Sequence, residues 1–153
     1  MSHLLIRYAL PLLLLQAACA LQAQTFRAYE KAGDKAAVVK DYHTAMHHYA
    51  RALAIRPDHA GLCYKYAGMA QRFHAYEAAR TYYLKVSGHS EAKAFPLAVF
   101  QLGMVEKSLG NYAPAVEWFE QYLALYGQGD AAYRAKAEEQ IRQCAWAQQV
   151  SAN

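Results

Sequence analysis

The sequence lacks the motifs on which common enzyme classes depend. It contains no glycine-rich phosphate loop, no G-x-S-x-G turn, no H-E-x-x-H helix and no paired C-x-x-C motifs. Its acidic residues are scattered singly, and its histidines have no poised nucleophile beside them. A catalytic site requires a convergent set of acid, base and nucleophile. We therefore expect a protein that is not an enzyme and that uses no cofactor and no small-molecule substrate.

Clustered positive charge is also missing. The 153 residues carry 16 lysines and arginines against 12 aspartates and glutamates, for a formal net charge of +4 without any basic run. Nucleic-acid binding usually depends on a basic stripe or patch, so this interspersed excess does not predict it. The chain is instead rich in apolar and aromatic residues, with 56% hydrophobic residues and 13 tyrosines. That composition indicates one globular unit rather than a disordered tail.

The apolar segment near the N-terminus is too short to span a bilayer. Residues 1–23 start with a weakly positive stretch, continue as an apolar core from Tyr8 to Leu15, and end in small residues. This order is typical of a signal peptide, and we expect cleavage after Ala20 or Ala23. The sequence therefore predicts an exported protein.

Helix–turn–helix patterns fill the rest of the chain and repeat three times. In each copy the second helix carries an aromatic, a small and a second aromatic residue on one face. With offsets of 34 and then 36 residues, these sets are Tyr42, Ala45 and Tyr49; Tyr76, Ala79 and Tyr83; and Tyr112, Ala115 and Phe119. The first helices carry a small residue, Gly33, Ala67 or Gly103. Because a small residue lets two helix backbones approach closely, we expect Phe119 to pack over Gly103.

This pattern resembles the tetratricopeptide repeat (TPR), whose helix–turn–helix unit has 34 residues. The resemblance covers about residues 26–126 and departs from the family at Ala36, where the first helix usually has an aromatic residue. It implies an all-α TPR solenoid over residues 24–150. The implied units are three repeats at about 26–59, 60–93 and 96–129, followed by a capping helix at 131–150 that Asp130 should cap.

The resemblance also implies a concave surface, lined by the first helices, on which a protein or peptide partner binds. By repeat register, the candidate partner-binding residues are Arg27, Lys31, Tyr64, Lys65, Arg72, Phe100, Gln101, Met104 and Lys107. Basic, aromatic and thioether side chains together suit a peptide. The alternative is a solvated concave face that binds nothing.

Co-chaperone members of the family hold a terminal carboxylate with a clamp of lysine, asparagine and arginine. The corresponding positions here are Glu30, Asp34, Lys65, Leu97 and Gln101. That set lacks the clamp, so a co-chaperone role of this kind is not expected.

The cysteines and histidines offer three further hypotheses. Cys19 is either discarded with the signal peptide or lipidated, and we expect membrane association only in the second case. Cys63 and Cys144 form an even pair, but repeat geometry separates them by more than a disulfide allows, so both should be buried free thiols. His43 and His47 stand at i and i+4 and could share a metal ion. No third ligand is evident, so solvated histidines are the preferred interpretation and no metal site is expected.

A second resemblance is to the N-terminal part of certain bacterial envelope proteins. The signal peptide, the repeats and the closing stretch from Ala137 to Ala147 resemble the front part of those proteins, in which TPRs precede a β-propeller and an OmpA-like domain. It implies a scaffold in the periplasm or at the outer membrane, within an envelope or secretion-associated assembly. The alternative is a truncated N-terminal module of a larger outer-membrane-associated protein.

Overall fold

A computed structural model describes the backbone of residues 2–151 and the side chains of residue 16 and residues 20–151. Within that part the chain forms seven α-helices, one short 3-10 helix and no strand. The α-helices are α1 (Ser2–Val38), α2 (Tyr42–Ile55), α3 (Ala60–Arg72), α4 (Tyr76–Ser87), α5 (Leu97–Ser108), α6 (Tyr112–Tyr126) and α7 (Ala131–Ser151), and the 3-10 helix is Ala92–Ala94. The predicted all-α fold class is confirmed.

Helix α1 begins well before Phe26, where the first repeat was expected to start. Residues 20–25 are helical and consist mainly of alanine, glutamine and leucine, which are good helix formers. The apolar core from Tyr8 to Leu15 and the lipidation candidate Cys19 lie outside the described side chains. Among the residues that the structure describes, none of the helices combines the length and the apolar composition needed to cross a membrane.

The chain divides into two compact units, residues 1–57 and residues 58–153. The first unit contains α1 and α2, which pack along each other. In the second unit α3 packs on α4, α4 on α5, α5 on α6, and α6 on α7. Neighbours in sequence are therefore neighbours in space within each unit.

The three helix pairs share one turn geometry. In each pair the residue two positions after the end of the first helix has a positive φ, namely Lys40 (62°), His74 (62°) and Gly110 (79°). The backbone N–H of the next residue then donates a hydrogen bond to the carbonyl oxygen five residues earlier in the chain. These bonds run from Asp41 to Ala36 at 3.0 Å, from Ala75 to Ala70 at 2.9 Å and from Asn111 to Glu106 at 2.9 Å. This is the Schellman arrangement for ending a helix. In two of the three turns the residue with positive φ is a lysine or a histidine, although glycine adopts this conformation with less strain.

A small residue on the first helix lies under an aromatic ring of the second helix. A Cβ atom at Gly103 would stand 2.6 Å from Cε1 of Phe119, and a Cβ atom at Gly33 would overlap the ring of Tyr49. Both rings are buried. In the α3–α4 pair the matching small residue is Ala67, which is also fully buried. The predicted close approach of Gly103 and Phe119 is confirmed.

One buried charge links α4 to α5. Glu106 is only 1% exposed, and its Oε1 atom accepts a hydrogen bond from Nε of Arg80 at 2.5 Å. Its Oε2 atom accepts a second bond from Nδ2 of Asn111 at 2.8 Å. Because a buried carboxylate is costly unless it is paired and hydrogen-bonded, Arg80 and Asn111 are what permit its burial.

Helix α7 closes the second unit. Its first turn is capped as predicted, since Oδ1 of Asp130 accepts bonds from the backbone N–H groups of Ala132 at 2.9 Å and Tyr133 at 3.2 Å. Ala137 and Cys144 on one side of the helix are fully buried, whereas most of its other side chains are exposed. This asymmetry is what a helix needs when it covers a stack on one side and faces water on the other.

Candidate functional site

Two of the predicted partner-binding residues lie in the first unit. Arg27 and Lys31 stand one turn apart on α1, and both side chains are exposed. Residues four apart occupy the same face of a helix. These two side chains therefore present a pair of positive charges to solvent.

Tyr64, Lys65 and Arg72 all lie on α3, in the second unit. Tyr64 is half-buried, with its ring centroid 5.8 Å from that of Tyr83 and 5.4 Å from that of Phe95. Burial raises the pKa of the Tyr64 hydroxyl, which therefore remains protonated at neutral pH. Arg72 is exposed and donates from Nη1 to the Gly68 carbonyl at 2.9 Å. Only part of Tyr64 is available to a partner, whereas Arg72 is accessible.

Phe100 was predicted to contact a partner, and the structure corrects this. Its side chain is only 6% exposed, and its ring centroid lies 5.4 Å from that of Phe119, 5.6 Å from that of Tyr122 and 5.2 Å from that of Tyr133. Because Tyr133 belongs to α7, that helix covers the face of α5 that repeat register left open. Phe100 therefore belongs to the core of the second unit.

The other predicted residues of α5 remain partly accessible. Gln101, Met104 and Lys107 are half-buried, and Met104 packs against the core cluster that contains Phe100. Lys107 differs from the other two because it borders a cavity. We call this cavity the Trp146 groove; it has a volume of about 590 Å³ and is lined by Lys107, Tyr112, Glu139, Arg142, Gln143, Trp146 and Ala147.

The lining of the Trp146 groove includes apolar and aromatic side chains. Trp146 on α7 is 67% exposed, and Tyr112 at the start of α6 is half-buried. Val150, one turn further along α7, is 54% exposed. An exposed tryptophan offers a large apolar area that a partner could bury.

The lining of the groove also includes hydrogen-bonded charges. Nη2 and Nε of Arg142 donate to Oε2 of Glu139 at 2.6 and 3.1 Å. Nε2 of Gln143 donates to Oε1 of the same carboxylate at 2.7 Å. The bond from Gln143, followed by that from Arg142, lowers the pKa of Glu139, which therefore carries its negative charge at neutral pH.

The ammonium group of Lys107 is held differently. It donates to Oε1 of Gln140 at 2.6 Å and to Oε1 of Gln143 at 2.5 Å. Both acceptors are neutral amides. The lining of the groove thus contains two positive groups, on Lys107 and Arg142, and one negative group, on Glu139, for a formal charge of +1.

Repeat register predicted only one residue of this groove, Lys107. Trp146 lies in the last helix and was not among the candidate binding residues. The contribution of Tyr112 and the link from Lys107 to α7 were missed, because residues 33 and 36 positions apart meet only once the helices are stacked. A tryptophan in the mostly polar last helix was the signal available in the sequence.

A second, smaller cavity lies at the opposite end of α7. It has a volume of about 350 Å³ and is lined by Pro96, Leu97, Tyr122, Tyr126, Gly129, Asp130 and Tyr133. Its one carboxylate, on Asp130, is engaged in capping α7. The cavity is therefore mainly a gap among packed tyrosine rings.

The histidines of α2 do not assemble a metal site with their neighbours. His43 and His47 are exposed, and His48 is half-buried with its ring centroid 6.5 Å from that of Tyr29. Across the described side chains, histidine, cysteine, aspartate and glutamate form no group of three or more that could hold a metal ion. A metal bound by His43 and His47 would need ligands from elsewhere.

Cys63 and Cys144 are buried and do not form a disulfide, as predicted. Burial raises the pKa of both thiols, so they are less reactive than exposed cysteines. They behave as small core residues.

Comparison with known proteins establishes the fold. The TPR domain of Arabidopsis OM64 superposes with a TM-score of 0.68 at 20% identity, covering 80% of this chain and 98% of its own. The Sgt2 TPR domain from Aspergillus fumigatus gives a TM-score of 0.68 at 21% identity, with coverages of 81% and 82%. The second TPR domain of human RPAP3, in complex with an HSP70 peptide, gives 0.68 at 18% identity, with coverages of 81% and 98%.

No protein-family profile and no curated protein matches the chain. The structural likeness nevertheless shows that this chain has the TPR solenoid fold, as its repeats predicted.

Proposed function

We propose that this chain is an exported, non-catalytic TPR scaffold that binds a protein or peptide partner. The observation that carries the proposal is the Trp146 groove, where a mostly exposed tryptophan and two positive side chains border one cavity. A fold alone does not imply a function. The fold does supply context, since a solved neighbour, the human RPAP3 domain, is in complex with a peptide.

The candidate binding residues are the accessible members of the predicted set and those that line the groove. Arg27 and Lys31 supply exposed positive charge on α1 in the first unit, whereas Arg72 on α3 and Lys107 at the groove belong to the second unit. Phe100 is excluded because it is buried. Arginine and aromatic side chains carry a large share of binding energy where a partner buries them.

Export is the second part of the proposal. It is supported by the order of residues 1–23, in which a weakly positive start, a short apolar core and small residues follow one another. We place the mature protein in the periplasm or at the outer membrane of a bacterial envelope. The intact mass of the protein recovered from cells will identify the first residue, and a mass that includes residues 1–20 would refute cleavage.

A charge-matched comparison tests partner binding. One variant combines Arg27→Ala, Lys31→Ala and Arg72→Ala on first helices. Its control combines Arg51→Ala, Lys85→Ala and Lys93→Ala, three exposed residues on second helices and the 3-10 helix, so that both lose the same charge. Both must retain the helical content of the unmodified chain by circular dichroism.

The two variants and the unmodified chain are then used as bait in envelope extract. We expect the first variant to lose a partner that the control retains. Loss from the control alone would move binding to the second helices, where His43 and His47 also lie. Equal retention by both would contradict a role for the first helices.

A further inference from the structure

We infer that the Trp146 groove takes an acidic peptide segment that inserts one apolar anchor residue beside Trp146. The inference rests on the proposed function, because it names the partner chemistry of a surface that the proposal treats only as a binding site. It depends on the shape, the exposed aromatic area and the charge of the groove.

The cavity is large enough to admit a side chain of a bound peptide. Its volume of about 590 Å³ lies within the range of roughly 300–1,000 Å³ that is usual for ligand sites. The ring of Trp146 is two-thirds exposed, and Tyr112 and Ala147 border the same space. An aliphatic or aromatic anchor would remove that indole from water, which is the commonest source of binding energy at an interface.

The charges of the groove select the flanking residues of the partner. Lys107 has three N–H donors, and the two acceptors that the structure gives it, on Gln140 and Gln143, are neutral. Both of these hydrogen bonds therefore go to amides, and Lys107 meets the Glu139 carboxylate only through a longer-range electrostatic interaction. A glutamate or aspartate of the partner could accept the third N–H directly.

Arg142 strengthens this preference. Glu139 accepts two of its N–H groups on one oxygen, and the guanidinium carries five N–H groups in all. A second carboxylate can therefore bind Arg142 without displacing Glu139. A basic segment would instead meet a lining with a formal charge of +1, and like charges placed close together are unfavourable.

Trp146 itself provides the reporter. The chain has two tryptophans, and Trp118→Phe leaves Trp146 as the single indole in an otherwise complete chain. The probes are three peptides of equal length, acetylated and amidated so that their ends carry no charge. Each combines leucine and phenylalanine with glutamate, with glutamine or with lysine.

We expect the glutamate peptide to shift Trp146 emission towards shorter wavelength, because the indole leaves water. The glutamine peptide should bind more weakly, and the lysine peptide should bind least. Adding salt should weaken the binding of the glutamate peptide and leave the binding of the glutamine peptide nearly unchanged, since salt screens interactions between charges.

Calorimetric titration of variants in the unmodified background identifies the contributing residues. Lys107→Gln and Arg142→Gln should each lower the affinity for the glutamate peptide by about two- to fivefold, as expected for the loss of a partly exposed ion pair. Arg134→Gln, the same substitution at an exposed position of α7 outside the groove, should leave affinity unchanged. Trp146→Ala should weaken binding by about thirtyfold, whereas Leu125→Ala on the exposed face of α6 should not.

Three outcomes would overturn the inference. Equal binding of the three peptides would remove the charge preference, and stronger binding of the lysine peptide would reverse it. Emission that changes with protein concentration alone, and is accompanied by a dimer in sedimentation, would make a second copy of the chain the occupant. If none of the peptides binds while the bait comparison still finds a partner on the first helices, the inference fails and the proposed function stands.

Discussion

Replacing Gly103 with alanine tests the packing register of the third helix pair. The added Cβ atom would stand 2.6 Å from Cε1 and 2.8 Å from Cδ1 and Cζ of Phe119. Real Cβ atoms do not approach a ring so closely, so either the ring or the helix must move. Phe119 is fully buried and in ring contact with Phe100, which leaves the ring little space.

Two effects of this substitution oppose each other. Alanine is favoured over glycine in a helix interior by about 1 kcal/mol. Overpacking a tight core costs about 1–3 kcal/mol. Because the contact involves a fully buried ring, we expect overpacking to exceed the helix-propensity gain, with a net loss of up to about 2 kcal/mol for Gly103→Ala. Gly103→Leu should lose about 3 kcal/mol, which corresponds to a melting temperature lower by roughly 6–12 °C.

Gly61 provides the matched control. It also lies in a first helix, but a Cβ atom there would meet its nearest neighbours at 3.5–3.7 Å, which is ordinary contact. Gly61→Ala should therefore be neutral or stabilising by up to about 1 kcal/mol. Urea unfolding measures both variants, and adding Phe119→Leu to Gly103→Ala should recover part of the loss through coupling. If Gly103→Ala proves as stable as Gly61→Ala, the assigned register is wrong.

Three further predictions concern buried groups. Arg80→Met should lower the free energy of unfolding by about 1–3 kcal/mol in urea titrations, because the Glu106 carboxylate stays buried with Asn111 alone, whereas the exposed control Arg134→Met should change it little. The free energy of unfolding should fall as the pH rises above about 10, because burial raises the pKa of Tyr49 and Tyr83 in the folded chain and the unfolded chain therefore loses those protons first. An unfolding free energy that stays constant over an alkaline pH series would refute this. Finally, Cys63 and Cys144 should resist an alkylating reagent in the native protein and both react in denaturant; native labelling at the rate of a free peptide thiol would show that they are not buried.

The helix pairing could be read from the sequence because it follows from local spacing. Each pair has a small residue in its first helix and an aromatic residue in its second helix. The small residues Gly33, Ala67 and Gly103 recur at offsets of 34 and 36 residues, so the packing expected in one pair is also expected in the others. Asp130 was equally readable, since a capping residue acts on N–H groups only two and three positions away.

The error at Phe100 has a different origin. Repeat register identifies which face of α5 meets its own partner helix, but not which face the following helix covers. That depends on Tyr133 of α7, 33 positions later, whose ring packs against Phe100. When repeat register predicts that a large aromatic residue is exposed, one should therefore ask whether the following helix buries it before counting it as a binding residue.

Glu106 and the Trp146 groove were missed because both depend on partners that are distant in sequence. A glutamate in an amphipathic helix normally indicates solvent, and only Arg80, 26 residues earlier, and the turn residue Asn111 make its burial possible. Lys107 likewise looks like an ordinary surface lysine until α7 brings Gln140 and Gln143 to its ammonium group.

Site-specific photo-crosslinking in envelope extract tests the central claim, that this TPR fold binds a polypeptide partner along its first helices and the Trp146 groove. A photoreactive phenylalanine derivative replaces Arg72, Trp146 or, as the control, the exposed Leu125 of α6. The account predicts one and the same crosslinked protein from positions 72 and 146 and none from position 125. Crosslinks from position 125 alone, or from none of the three positions, would contradict it.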